Sequence, residues 1–199
     1  MIESEIRAIV SDKKEIIDRL VSIGFSFTRE ITQHDIMFDK DDASLFRAGY
    51  KIRMRIEDKK KEMTYKGNVN KSSEISIRRE INIPICSEAS IEECILFFEA
   101  LGYSVCFQIK KIRTIFSKDD IYATLDEWPI IGCMVEIEGD QDVIVDIAKQ
   151  IAPDIKFSNY RLSQFFEGKI YETGKSLQQL KDEYYEKTGF DLGKIELIM

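Results

Sequence analysis

Polar and aliphatic side chains alternate through residues 2–10, with Glu3 and Glu5 on one parity and Ile2 and Ile6 on the other. Alternate side chains of a strand point to opposite faces, so this stretch predicts a strand with one charged and one apolar face. Asp12 and Glu15 then form a D-x-x-E box. Ile16, Ile17, Leu20, Val21 and Ile23 follow at helical spacing until Gly24. Residues 25–40 are rich in β-branched and aromatic side chains and predict an extended segment. Asp39 to Ser44 reads as a polar loop. Strands are expected at 49–57, 61–67 and 74–83, joined by the charged Asp58–Lys61 and by the glycine-containing polar segment from Gly67 to Ser73. Pro84 marks the end of that meander.

A second capping box, Ser90 with Glu93, opens a helix carrying Ile91, Cys94, Ile95, Phe97, Phe98 and Leu101 before Gly102. Phe97 and Phe98 read as helix core. Strands follow at 104–117, 120–127 and 132–138. Helices are expected from about Asp142 to Ile151, before Pro153, and from Ser158 to Glu172. The segment Ser176–Met199 reads as helical and then as a short apolar tail, with Ile195, Leu197 and Ile198 expected to dock rather than face water. Thr173-Gly174-Lys175 is the expected boundary, dividing a domain over 1–172 from a helical extension over 173–199. The strands arrive in two meander-like batches with no visible sequence repeat, and neighbouring hairpins imply antiparallel pairing. The class is α+β.

The charged faces carry the chemistry. On strand 49–57, Lys51, Arg53, Arg55 and Glu57 share the face opposite Tyr50, Ile52, Met54 and Ile56. Cations at alternate positions lie about 7 Å apart and repel unless water or an anion lies between them. Thr64 and Lys66 share a face, as do Glu74, Ser76, Arg78, Glu80 and Asn82, and Lys111 and Arg113 repeat the spacing. Guanidinium groups match phosphate oxygens bidentately, and lysine adds a mobile point charge. Glu136 and Glu138 alternate with Val135 and Ile137, and Asp126 sits near a strand end. Carboxylate oxygens suit hard ions such as Mg²⁺ or Mn²⁺, which keep open positions for phosphate oxygens. Periodicity is satisfied equally by a closed barrel with these residues inside and by an open sheet with them in water.

Composition narrows the classes. The chain has 199 residues, 44% hydrophobic and 33% charged, as a globular protein requires. With 29 Lys and Arg against 36 Asp and Glu, the net charge is −7, which argues against non-specific nucleic-acid binding. No apolar run approaches the roughly 20 residues of a membrane span, and the acidic N-terminus is unlike a signal peptide. The expectation is a cytoplasmic protein without nucleic-acid or membrane partners. Cys86, Cys94, Cys106 and Cys133 lack C-x-x-C spacing and read as free, buried thiols. His34 is the one histidine, expected as a strand residue beside a turn, which leaves Ser-His or Cys-His catalysis a single candidate base. No glycine-rich phosphate loop is present. Trp128, beside Pro129, is expected to cover a barrel end, with base stacking as its functional alternative. Tyr184 and Tyr185 could pack on the barrel or against a second subunit, so a homodimer is possible.

In order along the chain, these residues resemble the CYTH family of triphosphate tunnel metalloenzymes, which includes class IV adenylate cyclases, thiamine triphosphatases and tripolyphosphatases. Its E-x-E-x-K strand is seen as Glu3-Ser4-Glu5-Ile6-Arg7, and its L-R-I-R strand as Ile52-Arg53-Met54-Arg55. Its T-x-K-G appears as Thr64-Tyr65-Lys66-Gly67, and its R-x-E-x-E as Arg78-Arg79-Glu80-Ile81-Asn82. Lys111-Ile112-Arg113 matches its K-x-R strand, and Leu125-Asp126 through Gly132 to Glu136-Ile137-Glu138 its acidic stretch. Ser158-Asn159-Tyr160 resembles a late S-x-Y. The resemblance implies an eight-stranded antiparallel barrel, a triphosphate tunnel with helices packed outside and the charged faces inward. It implies metal ligands at Glu3, Glu5, Glu80, Asp126, Glu136 and Glu138, and Mg²⁺ or Mn²⁺ as the ion. It implies a triphosphate grip by Arg7, Lys51, Arg53, Arg55, Lys66, Arg78, Lys111 and Arg113, with Arg7, Arg53 and Lys66 as the catalytic cations.

Two departures stand out. Arg7 replaces the family's lysine and stays protonated, so it can hold a phosphate but cannot act as a general base. Asn82 removes a carboxylate. The implied activity is metal-dependent phosphohydrolysis of a nucleotide or other organic or inorganic triphosphate. Cyclisation of ATP to cyclic AMP with release of diphosphate is the alternative. A non-catalytic polyphosphate-binding barrel and a plain interaction domain with a solvated charged sheet are the readings from other classes.

Overall fold

The computed structural model describes residues 2–68, 75–130, 132–155, 157 and 162–195. Eight strands form a closed antiparallel barrel: β1 (Ile2–Val10), β2 (Ser26–Asp39), β3 (Lys51–Glu57), β4 (Lys60–Lys66), β5 (Ser76–Ile85), β6 (Ser104–Lys118), β7 (Ile121–Trp128) and β8 (Gly132–Glu138). Around the wall the order is β1-β5-β4-β3-β2-β6-β7-β8, with β8 returning to β1. Closure gives every strand a neighbour on both sides over part of its length, and an inward and an outward face.

The outward faces are hydrocarbon, and six helices cover them: α1 (Lys13–Ser22), α2 (Ser44–Arg47), α3 (Ile91–Ala100), α4 (Gln141–Ile151), α5 (Leu162–Thr173) and α6 (Leu177–Thr188). Ile6, Ala8, Val10, Leu125, Val135 and Ile137 meet Ile16 and Leu20 of α1 and Ile144, Ile147 and Ile151 of α4. On the other side Ile36, Phe38 and Met54 meet Ile91, Ile95 and Phe98 of α3, with the Phe38 and Phe98 rings stacked at 4.5 Å. A third cluster joins Cys106, Phe107 and Ile109 to Phe166 of α5, Leu180 and Tyr184 of α6, and then Leu192 and Ile195. The C-terminal segment thus docks on the barrel of its own chain. The Tyr184 hydroxyl accepts from the Lys110 amide, and Lys194 N–H donates to the Cys106 carbonyl at 2.7 Å. Gly193 has φ 55°, and a Cβ there would lie 2.4 Å from that carbonyl oxygen, so only glycine permits this approach.

Several local expectations change. Asp12 caps α1 by accepting from the Glu15 amide, but Glu15 pairs with Arg19 instead of closing a reciprocal box. Asp39 is no loop residue. It is fully buried at the end of β2, and its carboxylate accepts from the amides of Lys40, Leu45 and Phe46, which sets the turn into α2. Pro84 lies inside β5, opposite Glu62. Because β1 pairs with β5 only at Ser76–Arg79, the Pro84 stretch has no second neighbour that needs its missing N–H. Of the four free thiols only Cys106 is buried, and Cys86 is exposed. His34 lies in mid-strand, hydrogen-bonded to Gln108 and 4.1 Å from the Phe190 ring. Phe97 is exposed on α3, and Tyr185 on α6. Glu74, the Ser158-Asn159-Tyr160 motif, Leu197 and Ile198 lie outside the described residues.

Candidate active site in the barrel lumen

The lumen is a cavity of about 300 Å³, and thirteen of the fourteen residues expected to bind substrate or metal line it. They are Glu3, Arg7, Lys51, Arg53, Arg55, Lys66, Arg78, Glu80, Lys111, Arg113, Asp126, Glu136 and Glu138. Glu5, the fourteenth, is fully buried behind them and bonded to Arg78. The alternation that placed charge on every second residue has become one ionic interior. Sequence reading missed Asp35, which is buried in the same wall and grips Arg55 through two bonds of 2.7 Å. Asp35 stands alone between His34 and Ile36, without the paired-charge spacing that marked the others.

Register decides how these charges meet. Most cross-strand partners are opposite in sign: Glu3 with Arg78, Arg7 with Glu136, Asp35 with Arg55, Lys66 with Glu80, and Arg113 with Asp126. Their side chains close ion pairs. Arg78 reaches Glu3 at 3.1 Å and Glu5 at 2.5 Å, and Arg7 reaches Glu5 at 2.6 Å and Glu136 at 2.5 Å. Lys66 holds Glu3 at 2.7 Å and Glu80 at 2.6 Å. Arg113 donates two bonds of 2.6 Å to Asp126 and a longer one to Glu136, and Lys111 also donates to Asp126. Arg53 is held more loosely, 3.9 Å from Asp35 and bonded to Thr64.

Two cross-strand partners break the rule. Glu5 lies opposite Glu138 on β1 and β8, and Lys51 lies opposite Lys66 on β3 and β4. Like charges facing each other are destabilising. Glu5 and Lys66 find counterions elsewhere, but Glu138 and Lys51 form no ion pair among the described residues.

The proton equilibria report the same imbalance. Burial and then Glu3, Glu136 and Glu5 push the Glu138 carboxyl up to about 7. Two residues away, burial acts on Glu136 in the same direction, yet Arg7, Arg113 and Lys111 hold it well below the usual carboxylate range. Burial and then Arg78, Arg7 and Lys66 press the Lys51 ammonium well below its ordinary value. Burial and Arg113 lower Lys111 to about 7 against the pull of Asp126. For Arg7, burial works downward, but Glu136 and Glu5 outweigh it and hold the guanidinium above its usual value.

As a metal site the acids fit in chemistry more than in arrangement. Among the described residues no three His, Cys, Asp or Glu side chains converge to hold an ion, because arginines and lysines occupy most carboxylates. The donor set is all oxygen, as hard divalent ions require, and Glu138 is a lumenal carboxylate with no cation. Glu138, which lines the lumen without an ion-pair partner among the described residues, is the carboxylate best placed to receive one, with Glu5 opposite it in register.

The family description for the CYTH domain matches residues 1–154. A protein of Methanocaldococcus jannaschii, named as a candidate adenylate cyclase, is 33% identical over 139 residues, covering 69% of this chain and 77% of that one. The solved structure of a candidate adenylate cyclase from Vibrio parahaemolyticus superposes with a TM-score of 0.68 at 19% identity, covering 84% of this chain and 98% of that one. A Hippeastrum candidate adenylyl cyclase, described as having a dominant triphosphatase activity, superposes at 0.59 with 14% identity over 88% of this chain and 97% of its own. At these identities the structural likenesses show the fold.

Proposed function

The chain belongs to the CYTH family, and from that premise we propose that it is a divalent-metal-dependent enzyme acting on the triphosphate group of a nucleotide or other triphosphate, by phosphohydrolysis. The observation that carries this reading is the two like-charge register pairs inside a lumen whose other charges are largely paired. Glu138, left without a counterion opposite the already paired Glu5, calls for a cation, and Lys51, left without one opposite the already paired Lys66, calls for an anion. A triphosphate with its counter-cation satisfies both. Arginines then exchange carboxylate partners for phosphate oxygens, and the freed carboxylates turn to the cation, so the two guests favour each other's binding.

Mg²⁺ or Mn²⁺, bound by Glu5 and Glu138 with help from Glu3 and Glu136, would offset phosphate charge and orient a water for attack. The remaining chemistry belongs to the side chains. Lys51, Lys66 and Arg78 hold one stretch of the phosphate chain, and Arg53, Arg55, Lys111 and Arg113 another, so that it lies in line for attack. Arg7, Arg53 and Lys66 stabilise the charge that grows on the equatorial and leaving oxygens. Arg7 keeps its proton throughout, so it anchors phosphate without deprotonating the nucleophile.

Incubating the pure protein with ATP and with tripolyphosphate, each with Mg²⁺ and with Mn²⁺, tests this. The expected result is orthophosphate release that stops when the metal is chelated. The name of the Methanocaldococcus jannaschii relative supports a second reading, in which ATP yields cyclic AMP and diphosphate in the same assay. Binding of both compounds without turnover would instead assign a polyphosphate-binding barrel. Absence of binding would remove the triphosphate reading altogether.

A further inference from the structure

Arg53 and Arg55 share one face of β3 but differ in how they are held. They occupy successive inward positions, about 7 Å apart along the strand, and both line the lumen. Arg55 has a closed fork: its Nε and Nη2 donate to the two Asp35 carboxylate oxygens at 2.7 Å each. Arg53 has an open one. Its Nη2 donates to the Thr64 hydroxyl at 3.1 Å and its Nη1 stands 3.9 Å from Asp35, while its Nε is buried without a hydrogen-bond partner. The proton equilibria divide the two in the same way. Burial works downward on both. At Arg55, Asp35 outweighs it and raises the guanidinium, whereas at Arg53 burial and the neighbouring Arg55 prevail and lower it.

Asp35 stands apart from the acids that could receive a cation. Its strand, β2, is four strands from β1 whichever way the wall is followed, so Asp35 lies across the lumen from Glu3 and Glu5. Burial works upward on its carboxyl, but Arg55, Arg53 and Lys111, all cations, hold it well below the usual carboxylate range. Thr64 lies opposite Arg53 in the β3–β4 register and is fully buried. Asp35 on one neighbouring strand and Thr64 on the other thus fix the two guanidinium groups between them. A buried donor left unmade costs free energy until an acceptor arrives, and a guanidinium fork matches phosphate oxygens.

We propose that Asp35 and Thr64 are positioning residues for the triphosphate: Asp35 locks Arg55 against β2, Thr64 aims Arg53, and Arg53 is the member of the pair that offers an unmet N–H to a phosphate oxygen. The inference rests on the triphosphate reading above. Asp35 keeps its arginine when the guests arrive, and Arg55 contributes its charge without letting go.

Heteronuclear NMR of the arginine Nε–H groups of the whole protein, assigned with Arg53→Lys and Arg55→Lys, reads the two side chains separately. A methylene-bridged analogue of tripolyphosphate would be titrated in with Mg²⁺, and its affinity measured in parallel by calorimetry. The expected result is that the Arg53 signal moves and gains protection from solvent exchange. The Arg55 signal should stay in place, protected with and without the analogue. Thr64→Val should weaken binding several-fold and shift the Arg53 signal before any analogue is added, and Thr64→Ser, which keeps the hydroxyl, should restore both. Asp35→Asn keeps the side chain's shape and removes its charge, so it should cost Arg55 its protection and lower the affinity about tenfold. The Thr64 pair decides alone if Asp35→Asn does not fold. Binding that leaves the Arg53 signal unmoved, binding that moves Arg55 as far as Arg53, or equal affinities in Thr64→Val and Thr64→Ser would overturn the positioning and leave the triphosphate reading standing. Failure of the wild type to bind the analogue would overturn both.

Discussion

Two spots in one lumen face the same difficulty with opposite sign. At Glu5–Glu138 a carboxylate has no cation, and at Lys51–Lys66 an ammonium has no anion. Each charge is disfavoured in its empty state: the Glu138 carboxyl is pushed up to about 7, and the Lys51 ammonium is pressed well below its ordinary value. Elsewhere, as at Arg113–Asp126, the register brings opposite charges together and both stay ionised. The paired ions hold the barrel's interior in one arrangement. The unpaired ones are where the proposed cation and triphosphate would bind.

The largest effect should come from breaking a paired ion. Arg78→Met removes a cation shared by Glu3 and Glu5 and leaves each buried carboxylate with a single remaining partner, Lys66 or Arg7. It should cost about 3–5 kcal/mol in denaturant unfolding. A cost near zero would mean that the network does not hold the wall together.

Glu138→Gln should act in the other direction in metal-free solution. The folded pKa of Glu138 is raised above the unfolded value, so the wild type loses stability as pH rises from the ordinary carboxylate range to about 7. The variant should therefore match the wild type in acid and exceed its melting temperature at pH 8. Added Mn²⁺ should close the gap by stabilising only the wild type. A gap independent of pH would refute the account of Glu138.

Lys51→Met gives the mirror image. A lysine whose folded pKa lies below its unfolded value is destabilising when charged in both states, and the penalty fades as pH climbs toward about 10.5. The variant should be the more stable at neutral pH and lose that advantage in base. Its tripolyphosphate affinity should fall by about a kilocalorie or more, as expected for a lost charge-assisted hydrogen bond. Smallest of all should be the coupling between the two spots. Glu138 and Lys51 share no ion-pair partner, so the double variant should be additive within about 0.5 kcal/mol of stability. A larger coupling would show that the two spots are one electrostatic unit even without guests.

Much of this was legible in alternation. The strands, the longer covering helices and the membership of the charged faces from Glu3 to Glu138 follow from period-2 and period-3.6 patterns, whereas the inward direction of those faces was implied only by the family resemblance. Pro84 misled because a proline ends a strand only where both neighbours need its N–H, and β5 has one neighbour there. Asp39 looked like a loop residue because its acceptor role exists only once the turn into α2 has formed. Asp35 carried no spacing signal, since the residue it neutralises lies on another strand.

The sequence by itself determined which side chains share a face, because strand geometry sends alternate residues to opposite sides whatever the sheet does next. It also determined that one face would be ionic and the other hydrocarbon. Tertiary structure alone decided that the ionic face closes on itself, and which charge stands opposite which. Those are matters of register between strands that are far apart in the chain. A slip of one residue would turn every side chain to the other face, and a slip of two would re-pair every charge.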